Sequence, residues 1–394
     1  MYMTSEQYEL LHDARKRVPR YLFRAFTTSP RSSSGSSAGS DPEAPSTIPS
    51  TAASRHAHTQ EMLSAHLAWS HTAPGLSETF HSWTSSLLCA LRHAMRKTYV
   101  RPTQPACSVH IAVLDTSSNY ALPVWPATAL YDAYGLAPRA STRTRAWRAL
   151  ERHYCFGEYL MLVCGSGADL RILQAECRVA SLQRLLGGGL GELLPELFAD
   201  GGERGREDLA RAIRDNRSVL CCVRGTEVLT RREVVLARRL GECFAAAGER
   251  DGGAFAFPVA VAFLSLRRWD GLFGTAGRPG KTELLDEILD ELGGLEIPDG
   301  LGGEEDFGGV DESLRRYMPH EAGLFRTLCQ RLAARSHGEG CDDGDDVAAA
   351  ISGLSSEYLV VLTGRKTTKL IDLLVGNSTQ ASGGFVNPFL AMLG

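Results

Sequence analysis

The chain reads as an α+β protein: a sheet core with flanking helices, followed by an α-rich second domain with a minor sheet. Two observations predict this. Short apolar or alternating runs bounded by turn residues, at 21–26, 109–115 and 156–164, have the length and pattern of strands. Residues 5–17, 59–69, 87–97 and much of the chain beyond Gly165 carry apolar residues at helical spacing. At 394 residues and 43% hydrophobic content, there is enough apolar surface for two or three domains.

In order, residues 1–18 form an N-terminal helix with Tyr8 and Leu11 inward, stopped by Val18-Pro19. Tyr21–Phe26 is a strand. The stretch 27–56 is rich in Ser, Pro, Thr, Ala and Gly and cannot bury enough apolar surface to offset its ordering entropy, so a disordered insertion is expected. A helix follows from Thr59 to Trp69, then a short hydroxyl-rich strand end, Phe80-His81-Ser82-Trp83-Thr84-Ser85-Ser86, that turns into a helix. Ser85 or Ser86 is its N-cap, and Leu87, Leu88, Leu91 and Met95 form its apolar stripe.

Val109, Ile111 and Val113 alternate in a strand ending at Asp115; Asn119–Pro126 is extended and Thr128–Tyr134 a short helix. Pro138–Arg152 is basic. Phe156–Cys164 is a strand buried on both faces, opened by the carboxylate of Glu158. Beyond residue 166, Gly-rich acidic breaks separate helices expected near 177–186, 190–199, 205–215, 230–247, 282–292, 311–336 and 365–375. Strand-like runs lie at 219–223, 255–266 and 358–362.

The net charge of −4 and pI near 6.3 provide no general attraction to nucleic acid or an anionic membrane. No run of about 18 apolar residues occurs. The N-terminus lacks an apolar secretory core, so an intracellular protein is expected. None of the ten cysteines forms a CxxC pair, which favours buried free thiols over disulfides or zinc. Gly274–Thr282 fails the spacing of a phosphate loop, and Asp342–Asp346 lacks the alternation of a calcium loop. Asn387-Pro388-Phe389 matches a short adaptor-binding peptide by three residues only.

The chemically suggestive pattern is an arginine, a hydroxyl cluster and a glutamate, in that order, each on a strand. A strand-borne arginine is a fixed fork for phosphate. Hydroxyls at a strand end can hold a ribose or amide, and a glutamate at a strand mouth can stabilise an oxocarbenium-like centre. Each residue also has a bland reading. Arg24 is a strand-end surface charge, Ser82–Ser86 a turn and cap, and Glu158 a carboxylate awaiting a structural partner.

Leu22-Phe23-Arg24-Ala25, Ser82-Trp83-Thr84-Ser85 leading into a helix, Ile111–Asp115 and Gly157-Glu158-Tyr159-Leu160 together resemble the arginine–serine–glutamate class of ADP-ribosyltransferases. Enterotoxin A-chains are familiar members, and a group of uncharacterised fungal domains is similar on the same plan. The resemblance covers 19–165 and implies an ADP-ribosyltransferase-like split mixed or antiparallel sheet, with NAD as substrate and no metal. It implies NAD-binding roles for Arg24, Ser82, Thr84 and Ser85, a catalytic role for Glu158, and a protein acceptor as partner. The three groups are then expected to share one cleft. Two departures stand out: Trp83 interrupts the hydroxyl triplet, and Phe156 occupies the position where arginine-modifying members carry a second acidic or amide residue. An inactive fold serving as an interaction scaffold is the alternative, in which the serine-rich insertion suits partner docking.

Overall fold

The alternating and apolar runs of the first half become one antiparallel sheet. Its strands are β1 (Tyr21–Thr27), β2 (Phe80–Thr84), β3 (Val109–Asp115), β4 (Val124–Pro126), β5 (Glu158–Leu162) and β6 (Cys177–Ser181), in the order β4-β5-β2-β1-β3-β6. The computed structural model describes residues 3–28, 52–67, 80–100, 105–117, 123–136, 158–162, 177–198, 209–217, 220, 229–245, 253–267, 281–293, 295–298, 301 and 320–336. β1 pairs with β3 along its whole length, from Tyr21 opposite Asp115 to Thr27 opposite Val109. β2 pairs with β5 over five positions. Between β1 and β2 the register is a single position, Phe23 opposite Thr84. The sheet is therefore two three-stranded halves joined at one point.

Successive strand residues point to opposite faces. On one face, Tyr21, Phe23, Val109, Ile111, Val113 and Ala180 meet α3 (Leu87–Val100), whose stripe of Leu87, Leu88, Leu91 and Met95 is buried as its spacing predicts. Ser86 caps this helix, its hydroxyl accepting from the Cys89 N–H at 3.1 Å. On the same face of the other half, Phe80, Leu160, Leu162 and Trp125 pack against α1 (Ser5–Arg15), α2 (Ala52–Leu67) and α4 (Ala127–Ala133). Leu22, Trp83, Ala112, Leu114, Val124 and Met161 form a smaller core on the opposite face.

The later chain contributes α5 (Leu182–Gly187), α6 (Leu190–Leu193), α7 (Leu209–Arg217), α8 (Arg231–Glu242), α9 (Gly253–Leu264), α10 (Lys281–Leu292) and α11 (His320–Ser336). Their apolar residues join the core that starts at Tyr21 and Phe23. The Tyr21 ring meets Phe255 edge-on at 6.4 Å and Phe325 at 6.3 Å. At the head of β1, the buried Arg20 guanidinium lies 3.2 Å from the Asp115 carboxylate, which also accepts from the Ser117 N–H and hydroxyl. This clamp holds the last pair of the β1–β3 ladder.

Several expectations change. Tyr8, read as facing inward on α1, is exposed, while Leu11 is buried. The run 255–266, read as a strand, is helix α9, buried all round. An unbroken apolar run has no periodicity to separate strand from helix; the twelve-residue length of the element settles it in favour of helix, even with Pro258 inside. The helix expected over 177–186 starts only at Leu182, because Cys177–Ser181 forms edge strand β6 beside β3, with Ser181 capping the helix. The insertion expected over 27–56 is helical from Ala52, and His56 within it stacks on Tyr134 at 5.1 Å. Its remainder, 29–51, lies outside the described residues. So do the basic stretch 138–152, the 274–280 loop, 342–346, 387–389, the 365–375 helix and the 358–362 strand, as does 219–223 apart from Leu220. Among the described residues beyond Ser181 there is no strand, so the minor sheet has no described member.

The five described cysteines are free thiols, with Cys107 exposed rather than buried. Among the described residues, no helix is long and apolar enough to cross a membrane.

Where α8 crosses α9, a Cβ on Gly241 would run into the Ala256 carbonyl oxygen, whereas one on Gly187 meets nothing within 4 Å. Gly241→Ala is expected to cost roughly 1–3 kcal/mol in urea unfolding through overpacking. Gly187→Ala should change stability by less than about 0.5 kcal/mol.

Candidate functional site

The junction between the sheet halves is where the hydroxyl-rich strand end and the glutamate meet. Thr84 lies opposite Glu158 and Ser82 opposite Leu160, so Ser82, Thr84 and Glu158 project from one face of the β2–β5 pair. The Ser82 hydroxyl hydrogen-bonds the Glu158 carboxyl. Desolvation pushes that carboxyl up to about 7, with the Ser82 hydrogen bond pulling the other way. On its far side, Ser82 Oγ lies 2.9 Å from Nε2 of His66 in α2, whose ring packs edge-on to Phe80 at 6.2 Å.

A hydroxyl has one proton to donate. If Ser82 gives it to the ionised Glu158 carboxylate, His66 must donate Nε2–H to Ser82. Burial, and secondarily the positive charge of Arg24, lowers the His66 pKa and so favours the neutral imidazole. His66–Ser82–Glu158 is thus a directed chain ending on a carboxylate.

The other hydroxyls of the cluster have partners of their own. Thr84 Oγ1 accepts from the Ser86 N–H at 3.1 Å, closing the turn into α3. Ser85 is buried and hydrogen-bonds the phenol of Tyr159, whose pKa burial pushes upward. Ser82 is the one member of the cluster directed at Glu158.

Arg24 occupies different ground. With Phe23 opposite Thr84, strand alternation puts Arg24 on the face shared with Leu22 and Trp83, opposite to Ser82 and Glu158. Its guanidinium carbon lies 6.0 Å from the centre of the Trp83 ring. Burial lowers it to about 10, and a weaker interaction with Cys177 acts in the opposite sense. His81, on the same face, is held down to about 3 by desolvation and then by Arg24. The structure brings Ser82 to Glu158 and leaves Arg24 across the sheet from both, coupled to the chain only through its field at His66.

His66 lies outside the arginine, hydroxyl and glutamate pattern that the sequence offered. No spacing rule joins a helix residue to a strand residue sixteen positions on. Among the described residues, no group of three His, Cys, Asp or Glu side chains is placed to hold a metal ion.

A family model described as a domain of unknown function (DUF7587) matches residues 17–162, which span β1 to β5 and the whole His66–Ser82–Glu158 chain. No curated protein and no solved structure matches the chain.

Because the Ser82 hydrogen bond lowers the Glu158 pKa, Ser82→Ala should move that titration further up. Carboxyl carbon shifts followed by NMR across the neutral range measure it; an unchanged midpoint would break the assignment of this hydrogen bond.

Proposed function

We propose that the sheet junction is an NAD-cleaving site of the ADP-ribosyltransferase type, with Glu158 as the catalytic carboxylate. The observation that carries this is the hydrogen bond from Ser82 to a Glu158 carboxyl raised to about 7, at the point where the two sheet halves part. In this reading the C1′–N bond of the nicotinamide riboside breaks and its electron pair leaves with neutral nicotinamide. The ionised Glu158 stabilises the oxocarbenium-like ribosyl centre. An acceptor nucleophile or water then bonds to C1′ and releases its proton to solvent. Ser82, held by His66, fixes the carboxylate without reacting. Thr84 and Ser85 support the site through the turn and Tyr159. The acceptor is a protein or water.

The position of Arg24 favours a second reading. A phosphate fork on the face away from Glu158 does not complete a single dinucleotide cleft, and position 156 is Phe. A fold of this kind retained as an interaction scaffold, without turnover, fits that arrangement.

Nicotinamide release from NAD by the full chain separates the two. The enzymatic reading expects turnover that rises with pH through about 7, as Glu158 ionises. It expects Glu158→Gln to lose on the order of 10²-fold or more. No release by wild type at any pH, with partner binding intact in the triple variant Arg24→Ala, Ser82→Ala and Glu158→Ala, selects the scaffold.

Linkage affects stability too. The native Glu158 pKa is raised, so its proton favours the folded state at low pH, and this contribution fades as pH rises through about 7. His81 and His93 have native values lowered to about 3 and about 4, and act oppositely, weakening the fold as pH falls below the usual histidine range. Glu158→Gln should therefore flatten the loss of thermal stability as pH rises from about 4.5 to about 7, while leaving the acid-side loss in place.

A further inference from the structure

We infer that a cleft between α6 and α8 docks a short acidic segment of a partner protein, one with an apolar side chain between two carboxylates. The cleft has a volume of about 370 Å³ and is lined by Glu192, Arg231, Arg232, Val235, Leu236 and Arg239. It lies beyond the residues that the family model matches, and it depends on neither reading of the sheet junction.

Positions 232, 235, 236 and 239 recur at helical spacing, so a single face of α8 forms one side of the cleft. At its floor Leu236 is 5% exposed and Val235 half-buried, with arginines at both ends. The facing wall is α6. Gly189, at φ 102°, brings the head of that helix so close that an added Cβ would lie 2.6 Å from Leu236 Cδ2. This approach sets Glu192 beside α8, where its carboxylate meets Arg232 at 2.7 Å.

The fold does not call for this much positive charge. Arg239 suits the last turn of α8, but Arg231 and Arg232 occupy the first, where the helix dipole disfavours cations. Arg231 pairs with Glu291 of α10 and Arg232 with Glu192, and both guanidiniums remain largely exposed. Arg239 is exposed and has no carboxylate partner among the described residues. The lining thus presents three guanidiniums against one carboxylate. Each guanidinium carries five N–H donors, so incoming carboxylates bind alongside Glu192 and Glu291 without displacing them.

An apolar floor between the charges suits a peptide side chain. A run of nucleic-acid phosphates would instead meet Glu192 and leave Val235 uncovered. Arg232 and Arg239 are separated by ~10 Å along the helix axis, a distance an extended peptide covers in about three residues. The segment that fits has acidic residues at that spacing, with the apolar residue between them resting on Val235 and Leu236.

Fluorescence anisotropy on the full chain tests this, using a labelled, end-capped peptide in which two glutamates at that spacing flank a leucine. Binding is expected to weaken about fivefold or more in Arg239→Glu, and to recover when one glutamate of the peptide is exchanged for lysine. Exchanging the peptide leucine for serine should weaken wild-type binding several-fold, because the contact with Val235 and Leu236 is lost. No binding by wild type, or equal affinity in wild type and Arg239→Glu, overturns the proposal. So does a serine peptide that binds as well as the leucine one, which would reduce the cleft to a diffuse positive patch. A single-stranded oligonucleotide that binds more tightly than the peptide, with the same Arg239 dependence, overturns it in favour of nucleic acid. The peptide-side exchange needs no variant of the protein, so the test stands whether or not Arg239→Glu folds.

Discussion

The arrangement depends on one backbone pairing, Phe23 opposite Thr84. Each half of the sheet is well paired on its own, β1 with β3 through seven positions and β2 with β5 through five. The halves meet only there, and strand twist then carries β1 and β2 apart. Two neighbours pin the meeting point. Ser86 caps α3 immediately after β2, and the α3 stripe is buried against Phe23 and its flanking residues, so β2 cannot slide without uncapping or unseating the helix. At the other end, the Arg20–Asp115 clamp holds β1 on β3. The seam is fixed from both sides by interactions that do not belong to it.

Electrostatics at the seam follow from the same geometry. A sheet interior is a poor place for a carboxylate or a guanidinium, and here both lie close to a single pairing without compensating one another. The acid is supported through Ser82 and His66, a chain of neutral groups that leaves its charge unneutralised. The base rests on an aromatic ring. Such an arrangement is stable only because the large core beneath β1 and β3 supplies the free energy.

Much of this was legible from local pattern. The alternation of Val109, Ile111 and Val113, the capping serine before Leu87 and the carboxylate heading the apolar run at Glu158 each reflect a local rule, and each is where it was expected. What the sequence could not carry was parity. A one-residue slip in how β1 meets β2 would turn Arg24 to the side of Ser82, and no local signal specifies that register, because side chains repeat every two residues. The His66–Ser82 contact was hidden for a related reason, being made between elements whose mutual placement is decided by packing. Helix α9 was missed because uniform apolarity erases periodicity, and edge strand β6 because Cys177–Ser181 is too short and mixed to outweigh the helical run behind it.

The aromatic contacts of β1 reach far along the chain. Tyr21 and Phe23 both lie against Phe325, about 300 residues later. At a translation speed of ~5–20 residues per second, the first strand emerges about 15–60 s before the ring that finally covers it. During that interval the Tyr21 and Phe23 face rests on α3 alone, its remaining side not yet closed by the later rings. A chain halted short of residue 325 therefore keeps part of that aromatic face open to water, so truncation late in the sequence is felt at its first strand.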